Sequence, residues 1–273
     1  MRSTIGFAGL AFALIVPSAA LRAETTKCTE IMSAPYVIPA PGIYCLNNSL
    51  AGSIAVNADD VVLDLNGHVL QSGSPGSGAG VHAFDRQNIT VRNGTIRGYN
   101  RAVQITGKLS RSHVIERLRI MDNSDGAISV QGDGSVVRHN MLLNNGYDAG
   151  SGARFVILAN GDGIHIADNQ IIESGVGATF EVVGIRTNGS GVAVERNVVS
   201  NAEVGSHNSR GILVNGGSTS RNSVVGNRVV NMKIGIMNGF GFAGPAVFMD
   251  NTVGGATTPF TGGVMAGTTN TSF

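Results

Sequence analysis

The chain lacks tryptophan and is poor in cysteine, proline and net charge. Its 273 residues include no Trp, seven Pro and two Cys, and Lys plus Arg exceed Asp plus Glu by one. The low net charge argues against a nucleic-acid-binding protein, because such proteins usually carry a strong positive charge. Aromatic residues make up only 5% of the chain, which leaves little material for a binding module built on aromatic platforms.

Long apolar runs are also missing, apart from one near the amino terminus. Met1 and Arg2 precede twelve apolar residues, "IGFAGLAFALIV" (5–16), and the small residues of "PSAALRA" follow. Twelve residues cannot cross the roughly 30 Å hydrocarbon core of a membrane, and the pattern is typical of a secretory signal peptide. We expect residues 1–23 to be the signal peptide, cleaved after Ala20 or Ala23. The mature protein should then be secreted or periplasmic, with no membrane span.

The two cysteines, Cys28 and Cys45, both follow the expected cleavage site. A Cys pair in an exported chain is more typical of a disulfide than of a redox or metal site. We expect this disulfide to staple an N-terminal cap at residues 24–52. The cap belongs to one domain that runs from residue 24 to residue 273, with residues 255–273 as a C-terminal cap or tail.

Glycine is abundant, with 39 residues, and an internal repeat accounts for much of it. The segments "AISVQGDGSVVRHN" (127–140), "VILANGDGIHIADN" (156–169) and "GIRTNGSGVAVERN" (184–197) align without a gap, and the repeat recurs every 24 to 30 residues. Each unit contains short strand-like pieces with Gly or Asn at the corners, where a positive φ is tolerated. One column predicts a ladder of stacked amides inside a corner: Asn140, Asn169, Asn197, Asn227 and Asn251.

Together with "YVIPAPGIYCLNNSL", "ADDVVLDLNGHVL" and "ITVRNGTIRGYNRAV", these repeats resemble the right-handed parallel β-helix of the pectin-lyase-like superfamily. The resemblance implies an all-β fold, a single-stranded right-handed parallel β-helix (β-solenoid) of about eight coils. The superfamily contains polysaccharide lyases, glycoside hydrolases, uronan epimerases and proteins without known catalysis. A polysaccharide, anionic in the case of a lyase, is therefore the implied partner, while the fold by itself assigns no activity.

In that superfamily the substrate commonly lies along the outer face of the first sheet. The alignment places residues 103–106, 128–131, 157–160, 185–188 and 212–215 in that sheet. Alternation along the strands points Ile128, Val130, Ile185 and Ile212 inward. The polar side chains expected to bind sugar are Gln104, Gln131, Asn160, Asn188 and Asn215, together with Arg210 in an adjacent loop.

Three consecutive middle coils have long loops between the Asn column and the next inward aliphatic residue. These loops span 17, 16 and 15 residues (140–157, 169–185 and 197–212), whereas an earlier coil uses ten (118–128). Stacked long loops would form a wall beside the first sheet, and loops carry function more often than the scaffold does. We expect a candidate site between this wall and Arg186.

The residue types near that wall suit two reactions on a polysaccharide. Cleavage by β-elimination needs a cation at the uronate carboxylate, a base and an acid, for which the candidates are Arg186 or Arg210, His207 and Tyr147. Inverting hydrolysis needs two carboxyl groups, for which the candidates are Asp148, Glu181 and Glu203. The alternative is a non-catalytic β-helix that binds sugar or serves as a structural element, with these residues as solvated loop charges.

Two other features have structural as well as functional interpretations. Residues 86–119 contain eight Lys or Arg and one acid, which would attract an anionic polymer, unless residues such as Arg92 and Glu116 form lateral ion pairs. The segment "NGDGIHIADN" (160–169) is mainly one copy of the repeat. Its Asp162 stacks on Asp133 at adjacent corners, where calcium is an alternative reading; no other cofactor is implied.

Overall fold

A computed structural model describes residues 27–146, 153–173, 181–202, 209–216, 221–239, 246–267 and 269–273. These residues form 29 strands and no helix. The first fifteen are β1 (Thr29–Ile31), β2 (Tyr36–Ile38), β3 (Gly42–Leu46), β4 (Leu50–Ala51), β5 (Ile54–Val56), β6 (Val61–Asp64), β7 (Val69–Gln71), β8 (Ala79–Phe84), β9 (Ile89–Arg97), β10 (Arg101–Thr106), β11 (Val114–Met121), β12 (Gly126–Gln131), β13 (Val136–Arg138), β14 (Met141–Leu143) and β15 (Arg154–Asn160). The others are β16 (His165–Ala167), β17 (Gln170–Glu173), β18 (Val182–Asn188), β19 (Ala193–Glu195), β20 (Val198–Asn201), β21 (Ser209–Asn215), β22 (Ser223–Val225), β23 (Arg228–Val230), β24 (Ile234–Asn238), β25 (Val247–Met249), β26 (Thr252–Gly254), β27 (Thr258–Thr261), β28 (Val264–Met265) and β29 (Thr271–Ser272).

The strands form two parallel sheets that share one core. Ten strands make the first sheet, in the order β2-β5-β8-β10-β12-β15-β18-β21-β24-β27. The other nineteen make a second sheet, to which most turns contribute two short strands. In two neighbouring turns one long strand takes the place of both: β9 pairs with β6 and β7, β11 pairs with β13 and β14, and β9 pairs with β11. The chain therefore winds as a parallel β-solenoid, and the predicted fold class is confirmed.

Aliphatic residues stack in register through the interior. Ile128 pairs with Ile157, Ile157 with Ile185 and Ile185 with Ile212, and all four are buried. Adjacent strands lie about 4.8 Å apart, so identical side chains on successive turns pack directly against one another. The predicted inward positions are confirmed.

The predicted asparagine ladder fills one corner of the solenoid. The Asn140 side-chain amide donates to Asn169 Oδ1 at 2.9 Å, and the Asn169 amide donates to Asn197 Oδ1 at 2.9 Å. The series continues to Asn227 and Asn251 at 3.0 Å per step. Each acceptor oxygen also takes the main-chain N–H of the preceding asparagine, so the buried polar groups at this corner are paired.

The amino-terminal end carries the expected staple. Cys28 and Cys45 form a disulfide that spans 17 residues, and it joins the segment that leads into β1 to β3, its partner in the sheet. The disulfide prediction is confirmed. Among the described residues, no helix is long and apolar enough to cross a membrane.

Part of the basic stretch 86–119 forms ion pairs across strands of the second sheet. Arg92 Nε lies 2.9 Å from a carboxylate oxygen of Asp64, and Arg138 Nε lies 2.8 Å from one of Glu116. Glu116 is in register with both Arg92 and Arg138. Lateral pairing therefore neutralises Arg92, one of the eight cations in the stretch. It also pairs Glu116, the one acid in the stretch, with Arg138.

Candidate functional site

A cleft of about 600 Å³ opens on the outer face of the first sheet, over β8 and β10. One wall is the loop at residues 72–78, and residues 52–53, which stack beside the start of this loop on the preceding turn, also line the cleft. The floor presents His82 and Phe84 from β8 and Gln104 and Thr106 from β10. The cleft is therefore built from strands and a loop of the early turns.

The four floor side chains form a small rectangle. His82 is in register with Gln104, and Phe84 is in register with Thr106. Neighbouring strands lie about 4.8 Å apart, and residues two apart on one strand are separated by about 6.6 Å. An imidazole, a phenyl ring, an amide and a hydroxyl therefore point from one patch of the sheet.

The wall at residues 72–78 is held by its own hydrogen bonds. Ser74 N–H donates to Ser72 Oγ at 3.1 Å, and the Ser77 hydroxyl donates to Ser74 O at 2.7 Å. Gly76 N–H donates to Gly98 O at 2.9 Å, which ties the loop to the next turn. The hydroxyl-rich wall is therefore fixed in place above the floor.

Tyr99 anchors the rim of the cleft at residue 52. Its ring is buried, its main-chain N–H donates to Asn123 Oδ1 at 2.9 Å, and its hydroxyl donates to Gly52 O. Burial raises the pKa of Tyr99, so the hydroxyl stays protonated and remains a donor. Tyr99 thus fixes the rim segment against the core.

The cleft carries no fixed charge. No Asp, Glu, Lys or Arg is among the described residues that line it. Desolvation lowers the pKa of His82, so its imidazole is neutral at neutral pH and has one donor and one acceptor nitrogen. The described lining is suited to an uncharged, hydroxyl-bearing ligand and includes no pair of carboxyl groups for hydrolysis.

Of the predicted sugar-binding residues, Gln104 lies in this cleft and four others continue beyond it. Gln131, Asn160, Asn188 and Asn215 end successive first-sheet strands in one register row. The Asn215 amide donates to Asn188 Oδ1 at 3.0 Å, and the Asn188 amide donates to Asn160 Oδ1. The row is a half-buried amide ladder on the outer face.

Arg210 and Glu181, two of the predicted site residues, are brought together. Arg210 Nε lies 2.8 Å from Glu181 Oε1, and both side chains are roughly one-quarter exposed. The pair joins the start of β21 to the residue that precedes β18. Arg210 and Glu181 therefore partly neutralise each other.

Arg186 lies on an apolar part of the outer face. Its guanidinium carbon is 4.7 Å from the centre of the Phe155 ring, and its Nε is buried with no hydrogen-bond partner among the described residues. Val183, Leu213 and Met237 form a buried cluster on the same face. This region differs from the polar floor of the early cleft. Tyr147, Asp148, Glu203 and His207 lie outside the described residues, so the catalytic assignments stay predictions.

No protein-family model matches the chain, and no curated protein matches it. Among solved structures it is similar to the alginate lyase from Paenibacillus sp. str. FPU-7, with 16% identity and a TM-score of 0.52, over 85% of this chain and 100% of that one. It is also similar to the catalytic domain of a GH87 α-1,3-glucanase in complex with nigerose (13% identity, TM-score 0.41, 89% of this chain and 61% of that one). A third is the A-module of the Azotobacter vinelandii mannuronan C-5 epimerase AlgE4 (15% identity, TM-score 0.29, 90% and 91%).

The fold is a parallel β-helix. The similarity to the alginate lyase supports this fold, because it extends over the whole length of that protein. At 16% identity the similarity establishes the fold, and activity has to be argued from the site.

The stacked aspartates at the strand corner have a structural role. Asp133 Oδ1 accepts the Asp162 N–H at 2.8 Å, and Asp162 Oδ1 accepts the Ser190 N–H at 2.7 Å. Each carboxylate thus holds the corner of the next turn. The part of the chain that the structure describes contains no group of three or more His, Cys, Asp or Glu placed to hold a metal.

His82 and Phe84 were missed because the repeat alignment begins one turn later, at residue 102. The signal was present in "AGVHAF", the sequence of β8. Its period-two alternation places Val81 and Ala83 inside and His82 and Phe84 outside. The "GSPGSG" segment (73–78) that precedes it provides most of the wall.

Proposed function

We propose that the protein is an exported β-helix protein that binds a polysaccharide along the outer face of the first sheet, with the cleft over β8 and β10 as the main contact. The observation that carries the proposal is the rectangle of His82, Phe84, Gln104 and Thr106 beneath an anchored, serine-rich wall. Ligand sites are typically concave, with an apolar surface and a few polar groups that fix orientation. Sugar rings match this mixture, since they have apolar faces and hydroxyl edges.

The surface beyond the cleft supports an extended ligand. The amide row Gln131, Asn160, Asn188 and Asn215 continues along the axis from Thr106. From β8 to β21 the first sheet rises about 24 Å, at about 4.8 Å per strand. Such a row can meet successive units of a chain. The similarity to an alginate lyase over that protein's full length is consistent with a polysaccharide ligand.

Two features of the chain support export. The apolar run at residues 5–16 and the small residues after it suit a signal peptide, and the Cys28–Cys45 disulfide suits an oxidising compartment. Expression of the full chain with a carboxyl-terminal tag tests this. We expect the exported fraction to begin after Ala20 or Ala23, as read by mass spectrometry. A full-length protein confined to the cytosol would contradict export.

Binding is tested by affinity electrophoresis against neutral and uronate-containing polysaccharides. We expect at least one to retard the protein and Gln104→Ala to weaken this binding about tenfold, the value of one lost hydrogen bond. Gln170→Ala is the matched control, because Gln170 is exposed on the second sheet, away from the cleft. The proposal fails if no polysaccharide binds, or if Gln104→Ala and Gln170→Ala bind like the wild type.

Cleavage of a uronate polymer by β-elimination is the second candidate function. Arg186 favours it, because its Nε is buried on an apolar face and has no hydrogen-bond partner among the described residues. Such a cation is suited to neutralise a carboxylate. We expect incubation with alginate or polygalacturonate to produce the ultraviolet absorbance of an unsaturated product, and Arg186→Gln to abolish it. Absence of that product with the wild type would leave the non-catalytic binding protein as the function.

A further inference from the structure

We infer that the cleft over β8 and β10 receives an uncharged sugar unit, with its apolar face on Phe84 and its hydroxyls bonded by His82 and Gln104. The inference rests on the proposed polysaccharide-binding function and specifies the substrate class. The ligand inferred for this cleft thus differs from the anionic polysaccharide that the superfamily resemblance implied for a lyase.

Phe84 is unusual in its setting. Its side chain is 68% exposed, and a single exposed apolar side chain is common on protein surfaces and explains nothing alone. Phe84, however, lies in a concave site and is flanked in register by the hydroxyl of Thr106. A ring whose face is open inside a polar cleft offers a flat apolar surface to a ligand.

The dimensions of the floor match one unit of a sugar chain. His82 and Gln104 are adjacent on neighbouring strands, and Phe84 lies two residues beyond His82. This places the polar pair and the phenyl ring about 6.6 Å apart along the strand and the two strands about 4.8 Å apart. A single pyranose ring on Phe84 would extend its edge hydroxyls towards His82 and Gln104.

A uronate is a poor fit at this position, because no cation is among the described residues that line the cleft. A carboxylate taken from water into a site without a cation loses hydration that neutral donors replace only in part. Arg101, at the start of β10, is ion-paired to Asp125, which also binds Arg154 at 2.6 Å. A neutral sugar requires no counter-charge, and the serine hydroxyls and the neutral imidazole provide both donors and acceptors.

The test compares neutral and acidic oligosaccharides of equal length by titration calorimetry on the full mature chain. The neutral probes are cello-, xylo-, manno- and malto-hexaose, and the acidic probes are the hexamers of alginate and polygalacturonate. We expect at least one neutral hexamer to bind, and Phe84→Ala to weaken that binding about tenfold or more. Phe84→Tyr, which keeps the ring, should stay within about threefold of the wild type.

Phe273→Ala is the matched control, since Phe273 is an equally exposed phenyl ring (75%) at the other end of the solenoid. It should bind like the wild type. Because the Phe84 side chain is exposed, its removal should leave the thermal unfolding midpoint unchanged, and this is measured on the same samples.

The outcomes separate this inference from the function on which it rests. If only uronate hexamers bind, and His82→Ala weakens them, polysaccharide binding in the cleft stands and the uncharged substrate class is wrong. If a neutral hexamer binds equally well to Phe84→Ala, the stacking on Phe84 is wrong. If neither class of hexamer nor any polysaccharide binds, both proposals fail.

Discussion

Glu173 Oε2, at the buried end of β17, accepts a hydrogen bond from the main-chain N–H of Asn145 at 2.7 Å. It thus takes the acceptor role that asparagine Oδ1 has in the ladder, although Glu173 is itself buried and its Oε1 has no hydrogen-bond partner among the described residues. Burial raises the pKa of Glu173 well above its usual range, against the lowering effect of the bonds from Asn145. The fold therefore favours the protonated acid.

Glu173→Gln should stabilise the protein at neutral and alkaline pH. Because the folded state holds the Glu173 proton more tightly than the unfolded chain, stability falls as pH rises above the ordinary pKa of 4.5. Glutamine keeps the acceptor for Asn145 and removes the charge. We expect a gain of about 1–3 kcal/mol in the free energy of unfolding at about pH 8 and little gain at about pH 4, measured by urea denaturation.

The control for Glu173→Gln is Glu30→Gln, because Glu30 is exposed and its carboxylate accepts a hydrogen bond from the exposed side chain of Asn47. It should change stability by less than about 0.5 kcal/mol at either pH. A Glu173→Gln protein that is less stable than the wild type, with the same dependence on pH, would contradict the prediction.

His113 gives the opposite dependence on pH. It is fully buried, and desolvation lowers its pKa from 6.5 to about 4, although Asp59 acts in the other direction. Between these values the unfolded chain binds a proton that the folded state does not. The stabilisation is therefore complete above pH 6.5 and is lost as the pH falls towards 4, by up to about 3 kcal/mol.

His113→Asn should remove this acid sensitivity. Ile89 N–H donates to His113 Nδ1 at 3.3 Å, and at the same corner of a later turn Val192 N–H donates to Asn222 Oδ1 at 2.9 Å. An asparagine therefore already accepts the equivalent main-chain hydrogen bond at this position of the repeat. We expect urea midpoints of the variant to change less than those of the wild type between about pH 7 and pH 5. Equal acid sensitivity in the two proteins would show that other groups are responsible.

The asparagine ladder should be most sensitive at its centre. Asn169→Ala removes the acceptor for the main chain and side chain of Asn140 and the donor to Asn197 and Val137 O. Each buried group left unpaired costs about 1–3 kcal/mol, so we expect a loss of at least about 3 kcal/mol in urea denaturation. Asn270 Oδ1 accepts the Asn251 side-chain amide at 3.0 Å and ends the ladder at a half-buried position. Asn270→Ala should therefore cost only about 1 kcal/mol. Equal losses at both positions would refute the ladder as a buried network.

The core and the ladder were predictable because the repeat sets both. Ile128, Ile157 and Ile185 occupy one sequence column, and one column means one register position when turns are stacked. The outward positions were harder to interpret. Leu213 and Ser129 alternate outward but are buried, because alternation gives the direction of a side chain and not what covers that face.

The candidate site depended on an element outside the aligned repeats. Gln104 was predicted from its outward position, whereas His82 and Phe84 belong to β8, whose turn differs in length and carries the wall at residues 72–78. A wall formed by one turn over the strand of another is a long-range contact. Periodicity in the sequence does not predict such a contact.

Gly80 links the core to the cleft, and its substitution should damage both. A Cβ at Gly80 would lie 2.8 Å from Ala102 O and 2.9 Å from the Tyr99 ring, and Tyr99 holds the rim through Gly52 O. We expect Gly80→Ala to cost about 1–3 kcal/mol of stability by overpacking and to weaken polysaccharide binding. Gly73→Ala is the control, because nothing lies within 4 Å of its added Cβ; it should leave the urea midpoint unchanged. If Gly80→Ala were as stable as Gly73→Ala, the contact between β8 and Tyr99 would be looser than the structure indicates.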